Sequence, residues 1–577
     1  MGSKYSEEKN VLMLMSLMKQ HGVRKIIASP GTTNVSFVVS CQRDPYFEVY
    51  SSVDERSAAY IACGMAEQSG EPVVLSCTQA TASRNYFPGL TEAYYRKLPV
   101  LAVTSTQHAM RIGQNIQQAI DRTSHPADTL RLSVQVPIIQ SAEDASYANI
   151  AMNRALLELR RDGGGPAHIN LTTTYSTVYD VDELPQSRAI FRYAVDGDLP
   201  SVPEGARVAV YVGAHSSFTD EETAAVEAFC EAYGACVLCD QTSNYWGAHR
   251  VNASLLFSQG KHTSPVEEVD LLIHVGHTSG GASPRRVKAV WRVNPDGEVR
   301  DTFGYLRKVF AMKEAVFFRT YAAKAVGRTG GAFGERCAAE ATAIVEKVPE
   351  LPFSNAWVAQ QTLPRLPKGA ILHMGIYNSL RVWSIFEGDH ILGYSNTGGF
   401  GIDGGLSSLI GASLVTKDPC FGVFGDLAFF YDMNALGNRH VGDNLRIILI
   451  NNGCGTEFKN HINRAYPLGE EADPFISARG HFGGQSRDLV RHYAEDLGFE
   501  YHAATTKEEY LATLERYVSS DALGRSVLVE VFVSSEDEAE SLRRLYEIES
   551  SVAGNAKAAI KSALGEKGLR ALKGFMK

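Results

Sequence analysis

No run of about 18 or more apolar residues occurs anywhere in the chain, so no membrane-crossing helix is expected. Basic residues are not in excess. The formal charge is −9 over 577 residues, and phosphate backbones want a basic footprint, which argues against a general nucleic-acid binder. The opening MGSKYSEEKN lacks the basic and apolar regions of a secretory leader, although Gly2 fits the loose pattern for N-myristoylation. Cysteine is sparse and odd in number, nine in all, and most lie in apolar stretches, such as Cys63, Cys77, Cys236 and Cys239. Cys236 and Cys239 form a CxxC, but no second Cys or His pair stands nearby to complete a zinc site, so ACVLCD reads as a buried strand. Scattered free thiols imply a reducing, cytoplasmic compartment. There is no fixed-period repeat and no long low-complexity linker.

What is present is strand–helix alternation, which predicts open, mostly parallel α/β sheets with helices on both faces. Three such domains are expected, over residues 1–184, 185–350 and 351–550. In the first, KIIASPG, PVVLSCT and PVLAVTST are strands, with the helix LTEAYYRK before the last. In the second, ARVAVYVGA, ACVLCDQ, DLLIHVGH and AVWRVNP are strands and DEETAAVEAFCEAYG is an amphipathic helix. VYVGAHSS opens like a dinucleotide-binding unit but lacks its signature, so this domain reads as structural. In the third, AILHMGI, HILGYSN, CFGVFGD, RIILINN and SVLVEVFV are strands whose Gly-rich turns fall at their carboxyl ends, where open α/β sheets bind ligands. Residues 551–577 form a basic tail of near-helical apolar spacing. It suits an anionic membrane surface, a partner, or simple packing on its own protein.

The segment VFGDLAFFYDMNALGNRHVGDNLRIILINNGCG carries the strongest chemistry. One strand ends in Gly425-Asp426 and the next in Asn451-Asn452, so a single strand–helix–strand unit sets Asp426 and Asn452 side by side. A carboxylate and an amide oxygen then face one crevice, a hard-oxygen pair suited to Mg²⁺ with a phosphate completing the shell. Gly453 and Gly455 let the backbone pass close to that phosphate.

This GD…NN spacing resembles the diphosphate and Mg²⁺ signature of the thiamine-diphosphate-dependent 2-oxo acid decarboxylases and carboligases. The resemblance implies metal ligands Asp426, Asn452 and the carbonyl of Cys454. Gly425, Leu427, Ala428, Gly455 and Thr456 are then implied around the diphosphate; Leu427 stands where the family usually has Gly. It also implies a glutamate that activates the cofactor's aminopyrimidine. The match is Glu55, in SSVDERSAAYIACGMAEQSGEPVVLSCTQATASRNYFPGLTEAYY. Read alone, Asp54-Glu55 is equally a helix N-cap pair; the surrounding 45 or so residues follow the family pattern. A glutamate in an apolar pocket, its pKa raised by burial, is expected there.

Within the family the chain most resembles the menaquinone-pathway synthase branch. The shared pieces are SPG at Ser29–Gly31, DER at Asp54–Arg56, QQAI at Gln117–Ile120, Asn378-Ser379, YSNTGGFGIDGGLSS around Gly401–Gly404, and GDLAFFYDMNAL. By that likeness Ile402 is the apolar wedge that bends the cofactor, Asn378 and Ser379 contact the diphosphate, Gly401 flanks the wedge, and Gln118 faces the substrate. Two departures stand out. The branch has an arginine shortly after SPG and another after SN, both holding substrate carboxylates. This chain has Thr32-Thr33-Asn34 and Thr397. Two lost guanidinium clamps argue against a dianionic acceptor such as isochorismate. Arg111, Lys459 and His461 are further candidates for gripping a substrate or relaying a proton.

The expected activity is thiamine-diphosphate- and Mg²⁺-dependent decarboxylation of a 2-oxo acid, with transfer of the resulting acyl-anion equivalent to an acceptor. Simple decarboxylation to an aldehyde and a non-catalytic cofactor-binding scaffold are the alternatives. The family likeness implies a homodimer or homotetramer with active sites shared between chains.

Overall fold

The structure, a computed structural model, describes residues 5–325, 331–461, 463–480 and 486–550. Gly2 and the basic tail therefore lie outside the described residues. The chain divides into two compact units: Met1–Ala194 with Gly297–Ala311, and Val195–Asp296 with Met312–Lys577.

The first unit is built on a six-stranded parallel sheet in the spatial order Glu48–Ser51, Lys25–Ala28, Val73–Cys77, Val100–Thr106, Ala167–Thr172, Leu132–Val136. Its inner strands are apolar on both faces. Val73, Val74, Leu75, Leu101 and Val103 are all fully buried, as parallel strands covered on two sides must be. One face packs on the helices Lys9–Gln20 and Ala142–Glu158, the other on Glu55–Ser69 and Phe87–Tyr95. Small residues allow the second packing. A Cβ on Gly89 would collide with the side chain of Ala59, so these two helices cross at close range. The strands Phe191–Ala194 and Leu306–Ala311 add a parallel pair to this unit.

The second unit holds two sheets. One runs Arg250–Val251, Cys236–Leu238, Val208–Val212, Leu271–Val275, Val290–Val293, again parallel. Cys236 and Cys239 are buried free thiols here, in keeping with a core strand. A Cβ on Gly213, at the end of Val208–Val212, would strike the carbonyl oxygen of His277, so packing alone accounts for this glycine. The other sheet runs Leu392–Tyr394, Ile371–Met374, Cys420–Gly425, Leu445–Asn451, Val527–Phe532, Glu500–Ala504. Asn244 fastens the two sheets together: its Nδ2 donates to the Gly393 carbonyl at 3.1 Å and its Oδ1 accepts from the Gly393 amide at 2.9 Å.

Numbered by chain order within each sheet, the six-stranded sheets of the two units share the order 2-1-3-4-6-5. In both, the direction of winding reverses between the first and third strands, and a crevice opens at the carboxyl ends there. In the second unit this switch point lies between Ile371–Met374 and Cys420–Gly425, the strands that lead into Asn378 and Asp426.

Candidate functional site

A cavity of about 630 Å³ opens at that switch point. Three strand ends supply its polar wall. Ile371–Met374 leads to Asn378 and Ser379, Cys420–Gly425 to Asp426, and Leu445–Asn451 to Asn452 and the turn through Thr456. Gly401, Ile402, Gly425, Leu427, Ala428, Cys454 and Gly455 also line it. Every residue that the family likeness assigns to diphosphate or metal in this part of the chain thus faces one space. A Cβ built on Gly425 meets no atom within 4 Å, so this position opens onto the cavity.

The local geometry fixes the polar groups. Asp426 is 4 % exposed. Its Oδ1 accepts from the Leu427 amide at 2.7 Å, and its Oδ2 from the amides of Asn452 at 3.1 Å and Gly453 at 2.6 Å. Gly453 has φ +72°, the left-handed region in which glycine is at ease, and this turns its N–H toward the carboxylate. Burial pushes the Asp426 carboxyl up to about 6, against the pull of these amides. The Thr456 hydroxyl accepts from Asn378 Nδ2 at 3.0 Å and Asn452 Nδ2 at 3.3 Å, which sets the orientation of both amides. Burial pushes the Cys454 thiol up to about 11, so its sulfur stays protonated and only its carbonyl suits a hard cation.

This donor set fits Mg²⁺: one carboxylate, one amide oxygen and one main-chain carbonyl, which leaves positions for phosphate oxygens and water. Among the described residues no three His, Cys, Asp or Glu side chains cluster as a metal centre of another kind. Among the described residues the cavity wall also carries no basic side chain. Its charged members, Asp426, Glu457 and Glu538, are all acidic. A diphosphate entering such a wall requires a cation to bridge it.

Two charged residues at this site are not evident in the sequence. Arg381, one turn into the helix Asn378–Trp383, donates to Asn378 Oδ1 at 2.9 Å and pairs with Glu457 at 2.7 Å. Glu538 reaches the cavity from the helix Ser535–Tyr546 and accepts from the Asn355 amide at 2.9 Å; burial pushes its carboxyl up to about 7. The backbone is strained beside two site segments. Tyr377, before Asn378, has φ 62°, and Phe400, before Gly401, has φ 55°.

Other expected residues stand apart from this cavity. Lys459 is held by Asp473 and donates to the Gly469 carbonyl at 3.1 Å, so its ammonium is engaged away from the wall. His461 lies edge-on to Tyr546, ring centroids 6.0 Å apart, and Thr397 is buried; neither lines the cavity.

In the first unit, Asp54 caps the helix Glu55–Ser69 by accepting from the Ser57 amide at 2.9 Å, so the capping reading of this dipeptide holds for its first member. Glu55 is partly exposed and takes one long bond, 3.4 Å, from Asn85 Nδ2. The apolar, burying pocket expected around it is not formed within this unit, where neighbours such as Val53 and Tyr60 face solvent. Gln118, at φ 64°, accepts from Gln79 Nε2 at 3.4 Å, and Arg111 bonds Gln107. Thr33 shares a 2.7 Å hydrogen bond with Thr78, and Asn34 Nδ2 donates to the Ser29 carbonyl at 3.1 Å, so both are tied into their own fold.

Comparison with known proteins identifies the family. Residues 11–125 match the family model described as thiamine pyrophosphate enzyme, N-terminal TPP binding domain. A 2-succinyl-5-enolpyruvyl-6-hydroxy-3-cyclohexene-1-carboxylate synthase of Bacteroides fragilis is 30% identical over 562 residues, covering 94% of this chain and 99% of the relative. The Bacteroides thetaiotaomicron protein of that name is 29% identical with the same coverage. A solved 4-hydroxybenzoylformate decarboxylase of Rhodococcus jostii, 17% identical, covers 91% of this chain and 99% of its own at a TM-score of 0.38, a level that carries no weight here. The full-length match to the synthases and the N-terminal domain match decide the assignment: the chain belongs to the thiamine-diphosphate-dependent enzymes, in the family of the 2-succinyl-5-enolpyruvyl-6-hydroxy-3-cyclohexene-1-carboxylate synthases.

Proposed function

We propose that the protein uses thiamine diphosphate and Mg²⁺ to decarboxylate a 2-oxo acid and joins the remaining acyl unit to an acceptor less anionic than isochorismate. The observation that carries this reading is the convergence of Asp426, Asn452, Asn378 and Thr456 on one cavity. Asp426, Asn452 and the Cys454 carbonyl hold the metal, and Asn378, Ser379 and Thr456 position the diphosphate. Once bound, the cofactor supplies the electron sink that lets a 2-oxo acid lose CO₂. Ile402 supports it from the apolar wall. Glu55 holds and returns a proton at the pyrimidine ring nitrogen, in a homodimer or homotetramer where it serves the cofactor bound by a second copy. Closure by that copy gives Glu55 the apolar surroundings it lacks in a single unit.

The acceptor follows from charge. Thr33 and Thr397 stand where carboxylate-gripping arginines are expected in the branch, and among the described residues no basic side chain lines the cavity. Arg381 is neutralised by Glu457. Each charge-assisted clamp contributes about 1.5–3 kcal/mol, so a multiply charged acceptor loses several kcal/mol of binding here. The deciding experiment is a CO₂-release screen of 2-oxo acids with and without acceptors, read by mass spectrometry, with isochorismate as one arm. Mg²⁺-dependent CO₂ release with an adduct to a neutral carbonyl acceptor is expected. Efficient adduct formation with isochorismate would overturn the acceptor reading. Aldehyde release with no adduct to any acceptor would reduce the activity to simple decarboxylation.

A further inference from the structure

The first unit contains a second cavity, about 280 Å³, between the strands Val100–Thr106 and Ala167–Thr172, the helix Phe87–Tyr95 and the loop through His125. Glu55 does not line it. Deep in its wall lies Arg122, 4 % exposed. The guanidinium donates from NH2 to the Ser105 carbonyl at 2.9 Å and to Asn170 Oδ1 at 2.6 Å, and from NH1 to the Thr78 carbonyl at 3.5 Å. All three acceptors are neutral. Among the described residues no carboxylate pairs with Arg122. A buried cation without a counter-ion is costly, because neutral dipoles replace only part of its hydration. Burial lowers the Arg122 pKa to about 10, in line with that cost.

The other polar groups of the cavity do not supply the missing charge. His168 accepts or donates at both ring nitrogens, to Thr104 Oγ1 at 2.7 Å and Ser133 Oγ at 2.8 Å, and Ser133 continues to His125 at 3.1 Å. Burial lowers the pKa of both imidazoles, so both are neutral at pH 7. Arg84 and Asp121 are exposed, and Asp121 is already satisfied by the amide and hydroxyl of Thr123 at 2.8 and 2.6 Å. The remaining wall is apolar: Phe87, Leu90, Ala102 and Leu130. The space far exceeds the ~30 Å³ of one water and sits just below the size range of ordinary small-molecule pockets.

We propose that this cavity binds a small monocarboxylate with a compact apolar body, its carboxylate meeting the Arg122 guanidinium and its body lying against Phe87, Leu90 and Leu130. The chemistry calls for one negative charge to match one uncompensated cation. It calls for planarity to suit a guanidinium fork, and for a hydrocarbon portion to fill the apolar wall.

The test uses the holoenzyme with thiamine diphosphate and Mg²⁺, with benzoate as probe, its neutral isostere benzamide, and inorganic phosphate. Binding is followed by calorimetry, and hydrogen exchange across residues 83–90 and 121–130 locates it. Benzoate is expected to bind and to protect both segments, with benzamide at least about tenfold weaker. Arg122→Gln is expected to weaken benzoate by about tenfold or more. Because that variant also loses the bonds to Thr78, Ser105 and Asn170, Ser124→Trp provides a second check: it blocks the exposed rim and leaves Arg122 in place. Equal benzoate affinity in wild type and Ser124→Trp, or binding without protection of these segments, overturns the proposal. Phosphate binding with the same protection in the absence of benzoate binding overturns the carboxylate assignment in favour of an inorganic oxyanion. No binding of either probe overturns the site altogether.

Discussion

Asp426 and Asn452, 26 residues apart, are joined by a 3.1 Å hydrogen bond from the amide of the second to Oδ2 of the first. The bond forms because adjacent parallel strands end in register, Gly425 beside Ile450. The carboxylate is thus fixed before any cation arrives, and the free energy of metal binding is not spent on ordering it. Asp426→Asn keeps the shape but removes the anionic ligand and sets an amide NH₂ against main-chain N–H donors. Mg²⁺-dependent binding of thiamine diphosphate is expected to weaken about 100-fold or more, with an unchanged circular dichroism spectrum. Calorimetry in Mg²⁺ checks this; undiminished affinity would remove Asp426 from the metal site.

Glu55→Gln tests the activation step. Glutamine keeps the helix start and still accepts a bond from Asn85, but it cannot exchange a proton with the ring nitrogen. Turnover is expected to fall by about 10²–10⁴, the usual worth of a positioned acid–base group, while cofactor affinity changes little. Single-turnover CO₂ release separates the two quantities, and near-normal turnover would refute the role.

The parallel α/β architecture was legible because strand cores such as Ile447–Ile450 are apolar throughout and alternate with amphipathic helices. The shared 2-1-3-4-6-5 order of two sheets was not, since it depends on which strands pair rather than on any residue pattern. Asp426 and Asn452 were legible because each ends a strand in a recognisable turn. Arg381 and Glu538 were invisible for the opposite reason. Arg381 meets Glu457 across 76 positions and Glu538 meets Asn355 across 183, so no local signal marks either. Lys459 differs: its position after the strand ending at Asn451 suggested the substrate, whereas in the structure Asp473 pairs with its charge. Glu55 shows a different limit, because the apolar surroundings expected of it are not supplied by its own unit.

Lys459 is therefore expected to be structural. Its side chain and that of Asp473 are 18% and 10% exposed, so Lys459→Met leaves a mostly buried carboxylate with Arg479, 2.9 Å away, as its remaining cation. The turn through Ala472 is expected to loosen, at a cost of about 1–3 kcal/mol. The KM for the 2-oxo acid stays within about twofold, well inside the tenfold that 1.4 kcal/mol of lost binding would produce. Urea unfolding and steady-state kinetics on the same preparation decide between this and a substrate clamp, for which KM rises instead.

Arg381 and Glu457 make a partly buried pair, 27% and 19% exposed. Arg381→Ala strands the Glu457 carboxylate in the cavity wall and frees Asn378, at an expected cost of about 2 kcal/mol after allowance for residual solvent. Removing both charges, in Arg381→Ala with Glu457→Gln, is expected to recover part of that loss, because no uncompensated ion remains. A double-mutant cycle by urea denaturation measures the coupling; strictly additive effects would show that the pair contributes nothing.

Glu538 gives a pH dependence of defined sign. Burial raises its folded-state pKa from the ordinary 4.5 to about 7. Between these values the native state holds a proton that the unfolded state has released, so stability falls as pH rises from about 4.5, and the loss is complete once pH passes about 7. The shift corresponds to about 3 kcal/mol as an upper bound. Glu538→Gln carries a permanent neutral group in the same place, still able to accept from the Asn355 amide. It is expected to match the wild type near pH 4.5 and to exceed it progressively up to about pH 7.5. The comparison is made by urea unfolding of metal-free protein, since a bound cation near Asp426 would lower the Glu538 pKa and flatten the slope. A constant difference between the two proteins across this range would mean that Glu538 titrates normally, and that the carboxyl is better solvated than its 3 % exposure implies.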